Sequence, residues 1–187
     1  MKTKLIILLW LVVFSSTSFG AANKADTMLV EKQHFTTKDF TAVSGVTLEQ
    51  VDIGCERYGK LNANNDNVML VNNYVSGTSH AEGKYKADDA LPGYWDAIIG
   101  PGKAIDTNKY YVISSDTLVN ANWHDENVIT TGPASTNPKT GKPYGLDFPV
   151  VTITDFVNVQ KRLLDNLGIT KFHAVLGASK GSVQAPE

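Results

Sequence analysis

Near the carboxyl end of the 187-residue sequence, Gly177-Ala178-Ser179-Lys180-Gly181 has the G-x-S-x-G spacing of a nucleophile elbow. The glycines have a steric reason. A nucleophilic serine must sit on a sharp strand-to-helix turn, where side chains at the flanking positions would strike neighbouring backbone. Such a turn exposes Ser179 Oγ for attack on an acyl carbon and places the backbone N–H of Lys180 where an oxyanion develops. A glycine-flanked surface turn has the same composition, so the elements around the pentapeptide have to decide. A second oxyanion donor belongs on the loop after an earlier strand. Asn72 to His80 follows the apolar run Val68 to Val71, with Gly77 allowing close approach and His80 a candidate for lining the pocket. An ordinary surface turn would also look like this.

A serine nucleophile needs a base. The four histidines, His34, His80, His124 and His173, all precede Ser179, and the eight residues after it contain neither Asp nor His. His173 falls in an apolar run and reads as a packed core residue. His80 reads as a solvated loop histidine, and the adjacent His124 and Asp125 are poorly placed to orient each other.

The elements that would position Ser179 are legible. Leu29 to Phe35 and Leu48 to Tyr58 read as strands joined by a polar turn. Val68 to Val71, Tyr110 to Ile113 and Phe172 to Leu176 are short continuous apolar runs that suit strands covered on both faces. A helix is expected from Thr152 or Thr154 to Gly168. Ile153, Phe156, Val157, Leu163, Leu164 and Leu167 form its apolar face, Asp155, Lys161, Arg162 and Asp165 point elsewhere, and Gly168 is a left-handed cap. Helix, tight turn, buried strand and elbow is the order of an α/β sheet with parallel strands. Ser114 to Pro149 has no periodicity and is long for a connecting loop.

Composition excludes several functions. Seventeen Lys and Arg against nineteen Asp and Glu give a formal net charge of −2, which offers no electrostatic support for nucleic-acid binding. One cysteine, Cys55, excludes a disulfide framework within the chain, and its place in the alternating segment Val51, Ile53, Cys55 reads as a small buried hydrophobe. No metal-ligand spacing appears. Residues 1–20 read as a signal peptide, with Lys2 and Lys4 ahead of the apolar run Leu5 to Phe14, and cleavage is expected after Gly20, Ala21 or Ala22. Ten apolar residues are too few to span a bilayer, so no stable membrane span is expected after cleavage. The expected location is periplasmic or secreted, with residues 21–187 forming one domain.

Several separated blocks resemble the homoserine O-acetyltransferase group of α/β-hydrolase-fold enzymes. They are Arg57 to Asn62, Ser76 to His80, Gly93 to Thr107, Thr131 to Gly141, Phe148-Pro149, and Leu164 to Ile169 leading into the elbow. The resemblance runs in order over nearly all of Leu29 to Ala185 and makes the long loop a family feature. It implies the amino-terminal half of an α/β-hydrolase fold, a mostly parallel sheet with flanking helices, ending just after the elbow. It also implies an acyl-enzyme on Ser179, Val75 giving the second oxyanion N–H beside Lys180, acetyl-CoA as donor and a small hydroxylated acceptor. Asn73 stands where many relatives carry histidine, and Lys180 where many carry methionine. The family's acid, base and helical cap lie in a part that this sequence lacks, and an intact enzyme is expected to form a homodimer.

Pro186 falls about two turns into the helix that should follow Ser179, so the sequence reads as a truncated enzyme. Three functions stay open: acyl transfer as in the family, ester hydrolysis with water as acceptor, which an export signal favours, and a catalytically incomplete fragment. The 187-residue form is expected to be inactive alone.

Overall fold

A computed structural model of the chain describes residues 28–186. The signal-peptide reading of residues 1–20 and the expected cleavage positions lie outside the described residues. Among the described residues, seven strands and two α-helices occur in the order β1 (Gln33–Thr41), β2 (Thr47–Tyr58), β3 (Val68–Asn72), β4 (Ile99–Gly100), β5 (Ile105–Asp106), β6 (Tyr111–Ser115), α1 (Ile153–Asn166), β7 (Ala174–Gly177) and α2 (Lys180–Gln184), with a short 3-10 turn at Gly145–Asp147 before α1. A five-stranded sheet has the order β1-β2-β6-β3-β7, and β4 and β5 form a small parallel pair apart from it. The pairings β6–β3 and β3–β7 are parallel, whereas β1–β2 and β2–β6 are antiparallel. The parallel part carries the elbow, and the hairpin extends the sheet on the far side. No described helix is long and apolar enough to cross a membrane.

The first strand lies further along the chain than Leu29 to Phe35. Leu29 is exposed and makes only an isolated bridge to Lys84, while the register Phe35↔Ile53 and Phe40↔Leu48 is set by the turn at residues 42–46, with Gly45 at φ +85°. Polar Thr36, Thr37 and Lys38 hide this strand from a hydrophobicity pattern. Phe35 and Phe40, five residues apart, still share one core cluster, with Asp39 at φ +51° between them.

The helix begins and ends where its signals place it. Thr152 is the N-cap, its N–H and hydroxyl donating to Asp155 Oδ2 at 2.7 and 3.0 Å, and Gly168 at φ +71° follows the last turn. Its inner face differs from the expected one. Val159 and Gln160 are buried with Leu163 and Leu164, and Asp155 is buried rather than turned outward, because Oδ1 accepts the Val43 N–H at 2.7 Å and ties α1 to the hairpin turn. Leu70 and Ile113 pack with Leu164 of α1, while Val71 and Val112 pack with Ala81, Ile99 and Ile105. The irregular segment between β3 and β6 thus covers the face opposite α1. Cys55 is buried in the core, where desolvation raises its thiol pKa.

The last strand corrects an expectation. Phe172 to Leu176 is not a fully covered run: β7 is half-buried along its length, Phe172 is 42% exposed, and β7 pairs only with β3 among the described residues. An edge strand keeps the apolar character of a central one but lacks a second neighbour to cover it.

Candidate active site at the elbow

Between β7 and α2 the chain reverses at Ser179, which has φ +54° and ψ −121° and is exposed. A positive φ outside glycine costs on the order of 1–3 kcal/mol. The surrounding packing holds it. A Cβ on Gly177 would lie 2.2 Å from Gly181 O, and one on Gly181 would lie 2.3 Å from Asn72 O and 2.9 Å from Asn73 O. The two glycines are therefore required by contact, and the second presses α2 against the end of β3. Lys180 is the first residue of α2, so its backbone N–H has no acceptor within the helix.

The end of β3 leads into the second element of the site. Val75 is 61% exposed at the tip of this loop, and its N–H donates no hydrogen bond among the described residues. The loop is fixed from the segment after β6: Asn120 Nδ2 donates to Gly77 O at 2.9 Å and Asn122 Nδ2 to Ser76 O at 2.5 Å. A Cβ on Gly77 would lie 2.8 Å from Asn73 Cβ, so glycine is a packing requirement here as well. A cavity of about 500 Å3 opens beside this segment, lined by Asn120, Trp123, Val128 and Pro133 among others, and neither Gly77 nor His80 borders it.

Asn73 and Lys180, singled out in the sequence through the resemblance, touch each other. Lys180 Nζ donates to Asn73 Oδ1 at 3.1 Å and to Thr117 Oγ1 at 3.3 Å, and lies 5.2 Å from the centre of the Phe156 ring. Asn73 Nδ2 donates in turn to Ser115 O at 3.0 Å. One contact chain therefore links the elbow, the loop after β3 and the end of β6. Burial lowers the Lys180 amine to about 8.

Sequence reasoning missed the polar support beneath the elbow. Gln160 Nε2 donates to Asn72 Oδ1 and Ser115 Oγ, both at 3.0 Å, and Gln184 Nε2 donates to Gln160 Oε1 at 3.2 Å. Asn72 and Ser115 end apolar strands on the side where Ser179 sits, which is the signal that points to them. Gln160, polar at an inward helical position, has no such signal.

His80 is not a solvated loop residue. Its Nδ1 lies 3.1 Å from Glu56 Oε2, its ring stacks on Tyr85 at 4.2 Å, and its side chain is 16% exposed. Glu56 is the centre of a buried network. It is desolvated, yet hydrogen bonds from His80, Tyr85 and Tyr58 and the charge of Lys32 hold its pKa below the usual carboxylate value. Lys32 also pairs with Asp116, and Asp116 Oδ1 accepts the Ser79 N–H at 2.7 Å. His173 is exposed and beside Tyr110 rather than packed in the core, because it precedes β7 at the sheet edge. His34 pairs with Asp52, and the His124 ring lies tilted against that of Trp123. Among the described residues, no hydrogen bond joins any histidine to Ser179. No described group of three or more His, Cys, Asp or Glu side chains is placed to hold a metal ion.

No protein-family model matches the sequence. A homoserine O-acetyltransferase from Methanococcus vannielii is 53% identical over 144 residues, covering 77% of this chain and 28% of the relative. The crystal structure of the homoserine O-acetyltransferase from Bacillus anthracis superposes with a TM-score of 0.83 at 48% identity, covering 86% of this chain and 43% of that one. Over most of its length, the chain is a homologue of the homoserine O-acetyltransferases. Its sheet is accordingly part of an α/β-hydrolase fold. The crystal structure of esterase E22 is 61% identical with a TM-score of 0.82, covering 84% of this chain and 43% of that one. The chain therefore spans less than half the length of these homoserine O-acetyltransferases and of the esterase.

Proposed function

We propose that the chain carries the nucleophile and oxyanion part of a serine acyltransferase site resembling that of homoserine O-acetyltransferases. The observation that carries this is Ser179 at positive φ between β7 and α2, beside a Lys180 N–H without an intrahelical acceptor. Ser179 Oγ attacks the carbonyl of an acyl thioester, of which acetyl-CoA is the family's donor. The N–H groups of Lys180 and Val75 receive the oxyanion, the C–S bond breaks, and the sulfur leaves as a thiol with the proton that the serine hydroxyl gives up. A small hydroxylated acceptor then takes the acyl group from the serine.

Hydrolysis is the second reading, favoured by the 61% identity to esterase E22. Water then replaces the hydroxylated acceptor, and export of the chain by residues 1–20 would be consistent with it. Neither route turns over in the chain alone, because no described histidine reaches Ser179 as a base. An oxyanion hole without its base retains a rate of about 10³-fold over water, enough for slow acylation by an activated ester. Incubation with p-nitrophenyl acetate followed by peptide mapping is expected to place an acetyl group on Ser179, without turnover above buffer. Labelling unchanged in Ser179→Ala would exclude the assignment. In a chain extended to the length of these relatives, release of the acetyl group to homoserine but not to water would select transfer, and the reverse would select hydrolysis.

A further inference from the structure

In the sheet order, β6 and β3 separate β2 from β7, whose outer edge has no partner among the described residues. The long segment after β6 returns to β2, where Gly54 N–H donates to Ile129 O at 2.8 Å, Asp52 N–H donates to Thr131 Oγ1 at 2.7 Å and Ile53 bridges Thr130. The cavity of about 500 Å3 in this segment is therefore not a gap beside the unpaired strand. Its walls are fixed by hydrogen bonds. Val119 N–H donates to Thr131 O at 3.0 Å, Asn120 N–H to Thr130 Oγ1 at 3.1 Å and Gly132 N–H to Ser135 Oγ at 3.0 Å. Val119 holds φ +46°, a conformation that a β-branched residue keeps only where its surroundings fix it, and a Cβ on Gly132 would lie 3.3 Å from Val119 Cα.

The chemistry of the lining is one-sided. Val119, Trp123, Val128 and Pro133 supply apolar surface, and Trp123 is half-exposed, with the His124 ring tilted against it at 3.4 Å. The polar side chains of the lining are engaged within the protein: Thr130 Oγ1 donates to Thr117 O, Ser135 Oγ to Thr130 O and Asn120 Nδ2 to Gly77 O. No lining residue is ionisable, so an ion entering the cavity would lose hydration without gaining a charged partner. Pockets for small molecules have this size and this excess of apolar wall, and an apolar space of about 150 Å3 already takes one benzene ring. We propose that the cavity is a binding site for a neutral aromatic ring, packed against Trp123 and Val128. The acyl-transfer reading of Ser179 does not require this site. Asn120 nevertheless joins the two, since it lines the cavity and holds Gly77 O of the loop that carries Val75. The ring belongs either to a free ligand or to the ester that acylates Ser179.

The test is equilibrium binding to the 187-residue chain, followed through the indole N–H resonance of Trp123 and the side-chain amide resonances of Asn120. Benzyl alcohol is the neutral ring, benzoate and benzylammonium are the charged ones, and 2-propanol is the control without a ring. A saturable shift is expected with benzyl alcohol and none with 2-propanol, and each ion should bind at least about tenfold more weakly than benzyl alcohol. Trp123→Ala should weaken benzyl alcohol binding at least about fivefold, and Val128→Trp, which fills the space, should abolish it. Should the variants fail to fold, the charge series on the unaltered chain decides. Acetylation of Ser179 by p-nitrophenyl acetate separates the two sources. Competitive slowing by benzyl alcohol assigns the ring to the ester, and an unchanged or non-competitively altered rate assigns it to a separate ligand. No saturable shift, binding of either ion as tight as that of benzyl alcohol, or affinity unchanged in both variants overturns the proposal. Binding requires no acyl-enzyme, so failure here leaves Ser179 acylation standing, and failure of acylation leaves the ring site standing.

Discussion

Ser179 and Lys180 each sit in a state that costs stability. Ser179 holds a backbone conformation that suits glycine, so Ser179→Gly should raise unfolding free energy by about 1 kcal/mol after glycine's own entropy is counted. Ser179→Ala, which keeps the Cβ, should not. Urea denaturation of the two variants separates backbone strain from loss of the hydroxyl. For Lys180 the folded pKa lies below the unfolded one, so the unfolded chain binds the proton more tightly over the interval between them. The penalty for burying the charge is in full force below about pH 8 and is relieved as pH rises to the unfolded value. Lys180→Met should therefore be more stable than the parent at neutral pH, with the gap closing above about pH 10 in thermal unfolding followed across pH.

At the scale of elements, two contacts set how α1 and α2 meet the sheet. Asp155 closes the first turn of α1 and accepts the Val43 N–H from the hairpin turn while fully buried. Asp155→Ala should cost about 2–3 kcal/mol, the sum expected for a lost cap and a buried charge-assisted hydrogen bond, measurable by urea denaturation. Gly181→Ala should cost at least about 2 kcal/mol, because its methyl would meet the fixed carbonyl oxygens of Asn72 and Asn73. Calorimetry would record this as a lowered midpoint. These residues also mark where the sequence was readable. Thr152, Gly168 and the elbow glycines follow local rules of capping and close approach, so α1 and the strand-to-helix turn could be placed from type and spacing. The start of β1 could not, because its register depends on a turn and a partner strand. The exposure of His173 goes with β7 having one neighbour among the described residues, which no local pattern encodes.

At the scale of the molecule, the sheet gathers the ends of β3, β6 and β7 at one place, with Asn72, Asn73, Ser115, Thr117 and Ser179 there together. The nucleophile and the loop beside it were legible because both follow apolar runs. The buried Glu56 network and the Gln160 bridge were not, since each joins residues far apart in sequence that are individually ordinary polar side chains. The corner of the α/β-hydrolase sheet proposed to accept an acyl group holds a strained serine, the backbone N–H groups of Val75 and Lys180, and a lysine with no ion pair among the described residues. The most direct test of this account is peptide mapping of the 187-residue chain after treatment with p-nitrophenyl acetate, beside Ser179→Ala. The account predicts one acetyl group on the peptide bearing Ser179, absent in the variant. Acetylation spread over other residues, or unchanged in Ser179→Ala, would contradict it.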